Sequence, residues 1–507
     1  MALHFKSALL PHGWASDVRV EINGGRFASV LSNSQLQAGD ELVQVALPGM
    51  CNVHSHGFQR GMAGLTEFRG PEADNFWSWR TLMYRFVARM TPEDIGAITA
   101  QAYVEMLEGG FTRVGEFHYV HHDPAGYPYV NPAETAIHVA SAVARTGIGL
   151  TLLPVFYAHG GFDGAKPNDG QRRFVTSLDE FARLMEACRK IVGSLEGANL
   201  GVAPHSLRAV TPEELARVVP LAGSGPVHIH AAEQTGEVEQ CLAWSGARPV
   251  QWLLDHAAVD RRWCLVHSTH MTDEECGRLA ASGAVAGLCP ITEANLGDGI
   301  FPAPEYLGAA GLFGIGTDSN VSIGVADELR QLEYSQRLRD RARNVIGAID
   351  ARSTGRVLFE GAVRGGAQAL GIDTLETGIA EGAAADFVSL NLGAPALAAR
   401  ECDALLDSLI FAGRRLHRWG VAGGAKTRVG RQAYRARRDR TGLSSDPAAT
   451  SSARLTGPRG ALRRLWHSSV DTGITARILA RAEGGRSSAA KDMACERPRT
   501  ANEILKD

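Results

Sequence analysis

Short apolar runs alternate with amphipathic stretches along most of the chain. After the first forty-odd residues the runs are "VQVALPGMCNVHSH", "FTRVGEFHY", "IGLTLLPVFY", "LGVAPHS", "PVHIHAAE", "WCLVHSTH", "AVAGLCP" and "LFGIGTDSN". Their length and β-branched content predict buried strands. Between them lie helix starts at Thr91-Pro92-Glu93-Asp94, Ser177-Leu178-Asp179-Glu180, Thr211-Pro212-Glu213-Glu214 and Thr272-Asp273-Glu274-Glu275. Each pairs a hydroxyl cap with an acidic residue three positions on, so that two orphan backbone donors are satisfied reciprocally. Two of them carry proline at the first helical position. Strands alternating with helices predict the α/β class, as a (β/α)8 TIM-type barrel over residues 47–372. An open, doubly wound sheet is the alternative.

The polar residues that end the runs favour the barrel. His54 and His56 close the first run, His230 the fifth, His267 the sixth and Asp318 the eighth. Alternate residues of a strand share a face, so His54 and His56 point the same way. A single strand-end histidine often just bonds a carbonyl, and an aspartate there can cap a turn. Four histidines and an aspartate at the C-terminal rim, where barrel enzymes assemble their sites, indicate a metal centre. Imidazoles with one carboxylate suit zinc, with iron or manganese as alternatives. The fourth run, continuing as "LGVAPHSLRAV", ends without a lysine that could form a carbamate bridging two ions, so one divalent ion is the simpler reading.

Composition narrows the class further. Hydrophobic residues at 45% and charged residues at 21% describe a globular chain of 507 residues, and no apolar run approaches the ~20 residues of a membrane span. The N-terminus lacks the pattern of a secretory signal. The eight cysteines are scattered without C-x-x-C spacing, as in a reducing cytoplasm. The net charge of −3 conceals a split: from Arg414 onward there are 21 Lys and Arg against 8 Asp and Glu, leaving 31 against 47 in residues 1–413.

The order His54-x-His56, His230, His267, Asp318 resembles the amidohydrolase superfamily, and "HIHAAEQ" resembles its deaminase branch. The segments "NVHSHGFQRGMAG", "EFHYVHH", "PHSLRAV" and "HIHAAEQTGEV" are similar to those of the formimidoylglutamate deiminase family within it. The likeness covers residues 1–413. It implies that His54, His56, His230 and Asp318 hold one divalent ion, most simply Zn2+. It also implies that Glu233 is the acid/base, that Asp318 accepts the water proton, and that His267 polarises the attacked carbon. The implied reaction is hydrolysis of N-formimino-L-glutamate to N-formyl-L-glutamate and ammonia in cytoplasmic histidine degradation, by a homodimer, without nucleic acid or membrane.

A small-molecule substrate with two carboxylates calls for arginines, whose planar fork binds carboxylate in a bidentate way. Arg208 lies three residues after His205, and Arg80 sits in the aromatic stretch "NFWSWRTLMYR". Either could instead be a solvated helix or loop residue. Gln59, Tyr119 and His205 complete the expected substrate contacts; His118, His121 and His122 read as wall or supporting residues. Two rivals remain: a deaminase of purine or pyrimidine rings, and a zinc-binding scaffold without turnover. Retention of Glu233, His267 and Asp318 argues against the scaffold.

Both chain ends are expected to build a small β-sandwich, from residues 1–46 and 373–413. "DVRVEINGGRFASVL" reads as a hairpin turning at Asn23-Gly24-Gly25, and "GIAEGAAADFVSLNL" resembles the amidohydrolase return from barrel to sandwich. Residues 414–507 form an atypical basic tail with little periodicity, read as disordered or out of frame. Codons can be chosen for Gly413–Val421 whose shifted frame gives Gly-Asp-Ala-Cys-Ile-Asp-Gly-Val-Trp, a turn followed by a strand. That accounts for the charge jump better than a nucleic-acid arm does.

Overall fold

The computed structural model describes residues 1–69, 74–349, 353–372, 378–413 and 417–421. All four S/T-x-x-D/E starts form capping boxes: Thr91 and Asp94, Ser177 and Glu180, Thr211 and Glu214, Thr272 and Glu275 each exchange backbone and side-chain bonds. Satisfying the orphan donors locally fixes where each helix begins, and the helices then pack outside the strands.

The strands, in chain order, are β1 (Ala2–Leu10), β2 (Gly13–Asn23), β3 (Arg26–Leu31), β4 (Glu41–Pro48), β5 (Met50–Ser55), β6 (Phe111–His118), β7 (Gly149–Phe156), β8 (Asn199–Leu200), β9 (Ala203–Pro204), β10 (Val227–Ala231), β11 (Trp263–His267), β12 (Val285–Leu288), β13 (Leu312–Ile315), β14 (Asp386–Leu390) and β15 (His417–Val421). β10-β11-β12-β13-β5-β6-β7-β8 are parallel neighbours, and β9 also pairs with β7. Bridges Val202↔Val227 and Ser206↔His230 join the broken fourth strand to β10 and close the ring. The strands carry continuous apolar runs, as parallel strands covered on both faces do. Val53, Cys264, Val266, Val285 and Cys289 pack inside the barrel beneath the rim.

The first apolar run proves to be two strands of different sheets. β4 belongs to the chain-end sheet and β5 to the barrel, with Gly49 between them. A Cβ on Gly49 would lie 2.3 Å from Thr112 Oγ1, so the crossing tolerates no side chain. The chain-end sheet runs β15-β14-β4-β1-β2-β3. It curls until β3 meets the approach to β14: Phe27 N–H donates to Ala383 O at 2.9 Å, and Ala385 N–H to Gly25 O at 2.8 Å. The enclosed core includes Leu3, Phe5, Val18, Val20, Phe27 and Phe387. β15, antiparallel to β14, lies within the stretch read as an irregular tail. Residues 373–377 and 422–507, and with them the rest of the tail reading, lie outside the described residues.

Candidate active site

Strand register decides which side chains meet. β5 aims His54 and, one residue past its end, His56 at the barrel mouth; β10 contributes His230, and the turn after β13 contributes Asp318. One ligand atom from each of these four buried residues lies within 4.8 Å of the others. His54 Nε2 is 3.4 Å and His56 Nε2 3.2 Å from Asp318 Oδ1, and His230 Nε2 is 3.1 Å from His54 Nε2. A tetrahedral ion with bonds of about 2.0–2.1 Å sets its ligand atoms about 3.3 Å apart. The separations therefore suit a single small divalent cation.

The surroundings prepare these donors. His56 Nδ1 meets Phe117 O and His230 Nδ1 meets His205 O, both at 2.9 Å. These bonds orient the rings and leave each Nε2 lone pair facing inward. Burial pushes the His54 pKa down to about 3 and that of His230 well below its ordinary value, which favours the neutral ligand form. Burial opposes the charge on Asp318, yet hydrogen bonding to His54 and His56 holds its carboxyl well below the usual range.

Backbone strain concentrates at the same place. His267 (φ 67°), Ser268 (51°), Asp318 (41°) and Asn320 (57°) all adopt left-handed conformations, which cost non-glycine residues about 1–3 kcal/mol each. The turn is over-determined: Asp318 N–H donates to His54 O (2.9 Å), while His56 N–H and Asn320 Nδ2 donate to Asp318 O, both at 3.0 Å. Gly316 permits the approach, since a Cβ there would come within 2.8 Å of His54 O.

His267 and Glu233 stand beside this group. His267 Nδ1 bonds Glu293 Oε1 at 3.2 Å, while Nε2 lies 3.6 Å from Glu233 Oε1 and 3.9 Å from Asp318 Oδ2. Burial opposes charge on the ring, but Glu233, Glu293 and Asp318 outweigh it and raise the His267 pKa to about 10. Burial also raises Glu233, with His267 and Arg208 partly offsetting it. Its backbone N–H donates to the buried Glu237 Oε2 at 3.0 Å. A carboxyl with a raised pKa at a cleft suits proton transfer.

The cavity above is lined by Gln59, Arg80, Tyr119, His205 and Arg208 together with His56, His230, Glu233 and Asp318. Arg208 is buried, with Nε and Nη1 lacking partners. Its guanidinium lies 5.5 Å from the Trp77 ring, and that of Arg80 lies 4.5 Å from the same ring. Two cations thus share one aromatic platform, and Arg208 Nη2 also lies 3.7 Å from Glu233 Oε2. Gln59 Nε2 donates to Tyr119 Oη at 2.7 Å, leaving Gln59 Oε1 buried without a partner. His118, His121 and His122 do not line the cavity; His118 bonds Thr135 and His121 bonds Val155 O, both at 2.8 Å.

Sequence reasoning missed Tyr84 and Tyr157, which both line the cavity. Tyr157 ends the run "LPVFY" just as Tyr119 ends "EFHY", so the strand-end criterion could have found it. Glu293 carried no such signal, because it lies in the helix Pro290–Leu296 after β12.

An amidohydrolase family model matches residues 45–416, a range that spans the whole barrel rim. The chain belongs to the amidohydrolase family. Residues 1–44 match the N-terminal domain of formimidoylglutamate deiminase HutF. The chain is 50% identical to a formimidoylglutamate deiminase of Pseudomonas aeruginosa over 85% of its own length and 96% of the relative's. An 8-oxoguanine deaminase of the same species is 30% identical over 69% of this chain and 76% of that one. The crystal structure of an amidohydrolase from Brucella melitensis superposes with a TM-score of 0.79 at 55% identity, covering 86% of this chain and 99% of the other. As an amidohydrolase, the chain is a hydrolase acting on small molecules through a His/Asp metal-binding group. Among the described residues no helix is long and apolar enough to cross a membrane.

Proposed function

We propose that this amidohydrolase hydrolyses N-formimino-L-glutamate to N-formyl-L-glutamate and ammonia, with one zinc ion held by His54, His56, His230 and Asp318. The observation that carries the reading is the pair of guanidinium groups, Arg80 and Arg208, in the cavity that His56, His230 and Asp318 also line. A substrate carboxylate can satisfy the unpartnered Nε and Nη1 of Arg208, whose Nη2 lies 3.7 Å from Glu233 Oε2, whereas a neutral nucleobase leaves those buried donors unpaired at a cost of about 1–3 kcal/mol or more. The relative in Pseudomonas aeruginosa that bears this activity in its name supports the same choice.

Three imidazoles and one carboxylate favour zinc over harder ions. When bound, such an ion supplies Lewis acidity that lowers the pKa of water to about 7. Arg80 and Arg208 hold the two carboxylates and direct the formimino group towards the histidines. Gln59 Oε1 accepts one of its N–H groups, and His205 and Tyr119 confine it. His267, its Nδ1 held by Glu293, turns Nε2 towards the developing charge. Asp318 Oδ2 takes a proton from the attacking water as its oxygen bonds to the formimino carbon. Glu233 gives its proton to the imino nitrogen and takes back that of the new hydroxyl as the C=O forms, the proton held by Asp318 passes to the same nitrogen, the C–N bond breaks, and ammonia leaves an N-formyl product. The reading puts the reaction in cytoplasmic histidine degradation, and the family resemblance carries a homodimer with it.

Incubation of the purified protein with N-formimino-L-glutamate tests the reaction. One ammonia per N-formyl-L-glutamate is expected, abolished by chelation and restored by zinc. Ammonia from cytosine or guanine, with none from the formimino substrate, would move the assignment to ring deamination.

A further inference from the structure

Asp318 divides its two oxygens between different neighbours. Oδ1 faces His54 and His56, whereas Oδ2 is turned towards His267 Nε2 at 3.9 Å. His267, Cys289 and Asp318 each offer a ligand atom within 4.8 Å of the others'. The His267 ring and Cys289 are fully buried, and His267 Nε2 has no hydrogen-bond partner. Glu293 Oε1 ties the two together, taking His267 Nδ1 at 3.2 Å and Cys289 N–H at 2.8 Å. Nδ1 is thereby occupied and Nε2 is left as the free donor.

We propose that His267, Cys289 and Asp318 form a second, inhibitory site for a thiophilic divalent cation, sharing Asp318 with the first ion. One sulfur, one imidazole and one carboxylate oxygen favour zinc or cadmium over magnesium or calcium. Asp318 bridges the two positions through its separate oxygens. As the second ion binds, the Cys289 thiol and His267 release their protons to solvent, and Sγ–metal and Nε2–metal bonds form. Binding rests on geometry alone. Inhibition rests on the functional reading above, because the ion occupies the Asp318 oxygen and the His267 nitrogen that face the substrate.

Cadmium added to the full chain already carrying one zinc tests the site. Cadmium per chain, the ultraviolet sulfur-to-cadmium absorption and ammonia release are read together. The unmodified protein should take up one cadmium that depends on Cys289, show the absorption and lose turnover roughly tenfold or more, competitively with substrate. Cys289→Ala should lose both that ion and the inhibition, and Cys289→Ser should weaken them roughly tenfold, oxygen being a poorer ligand for a soft ion. Cys402→Ser, which removes an exposed thiol, should leave both intact. Identical uptake, absorption and inhibition in Cys289→Ala would overturn the proposal, as would full turnover with the Cys289-dependent ion bound. Failure of the functional reading shows separately, as absence of ammonia release before any cadmium is added.

Discussion

At Glu233, exchange of the carboxyl for an amide keeps the side-chain volume and removes the proposed proton carrier. Glu233→Gln is expected to retain its ion and lose about 10²–10⁴ in kcat, the usual worth of a positioned acid/base; metal content and turnover measured on one preparation check this. His230→Ala should instead lose ion and activity together, because it deletes a proposed ligand 3.1 Å from His54 Nε2. Arg80→Met and Arg208→Met should leave the ion in place while kcat/KM for N-formimino-L-glutamate falls by ~1.5–3 kcal/mol, or ~10–150-fold, through loss of a charge-assisted bond. Arg208 should show the larger effect, since its Nε and Nη1 have no protein partner. Unchanged kinetics in both variants would remove the case for carboxylate recognition.

The helix Phe76–Val87 carries Arg80 and Tyr84 into the cavity, and its first turn is held by Asn75, whose side chain accepts from Trp77 N–H (2.9 Å) and Ser78 N–H (3.3 Å). Asn75→Ala should cost about 1 kcal/mol of local stability. Because the loosened helix carries a proposed substrate contact and no proposed ligand, KM should rise while kcat and metal content hold; steady-state kinetics with metal analysis checks this. Much at this scale was legible. Capping boxes at Thr91, Ser177, Thr211 and Thr272 are encoded within four residues, and strand-end polarity marked His54, His56, His230, His267 and Asp318. The exact β4/β5 crossing was not legible: the boundary expected at 46/47 falls inside β4, because the two strands adjoin and are told apart by their partners, β4 pairing with β1 and β14 and β5 with β6 and β13. Neither was the platform shared by Arg80 and Arg208, which joins residues far apart in the chain through ring contacts with Trp77. Glu293 was hidden for the same reason: its bond to His267 spans 26 residues and two elements.

Over the whole molecule, the proposed chemistry is confined to the C-terminal mouth of one barrel, while the chain-end sheet packs a separate core. β15 extends that sheet beside β14, so the closing strand reaches Val421. Every proposed ligand and substrate contact precedes Gly413. Truncation after Val421 should leave kcat/KM within about twofold. A large loss with the ion still bound would show that the basic segment supports the cavity. Sequencing the coding region around codon 413 separately tests the frame shift. The central claim is specificity for a dicarboxylate amidine, and the ratio of kcat/KM for N-formimino-L-glutamate to that for 8-oxoguanine tests it most directly. Paired polar recognition rejects an analogue that leaves it unsatisfied by about 10⁴-fold, so a ratio above about 10³ is expected. A ratio near or below unity would contradict the deiminase assignment.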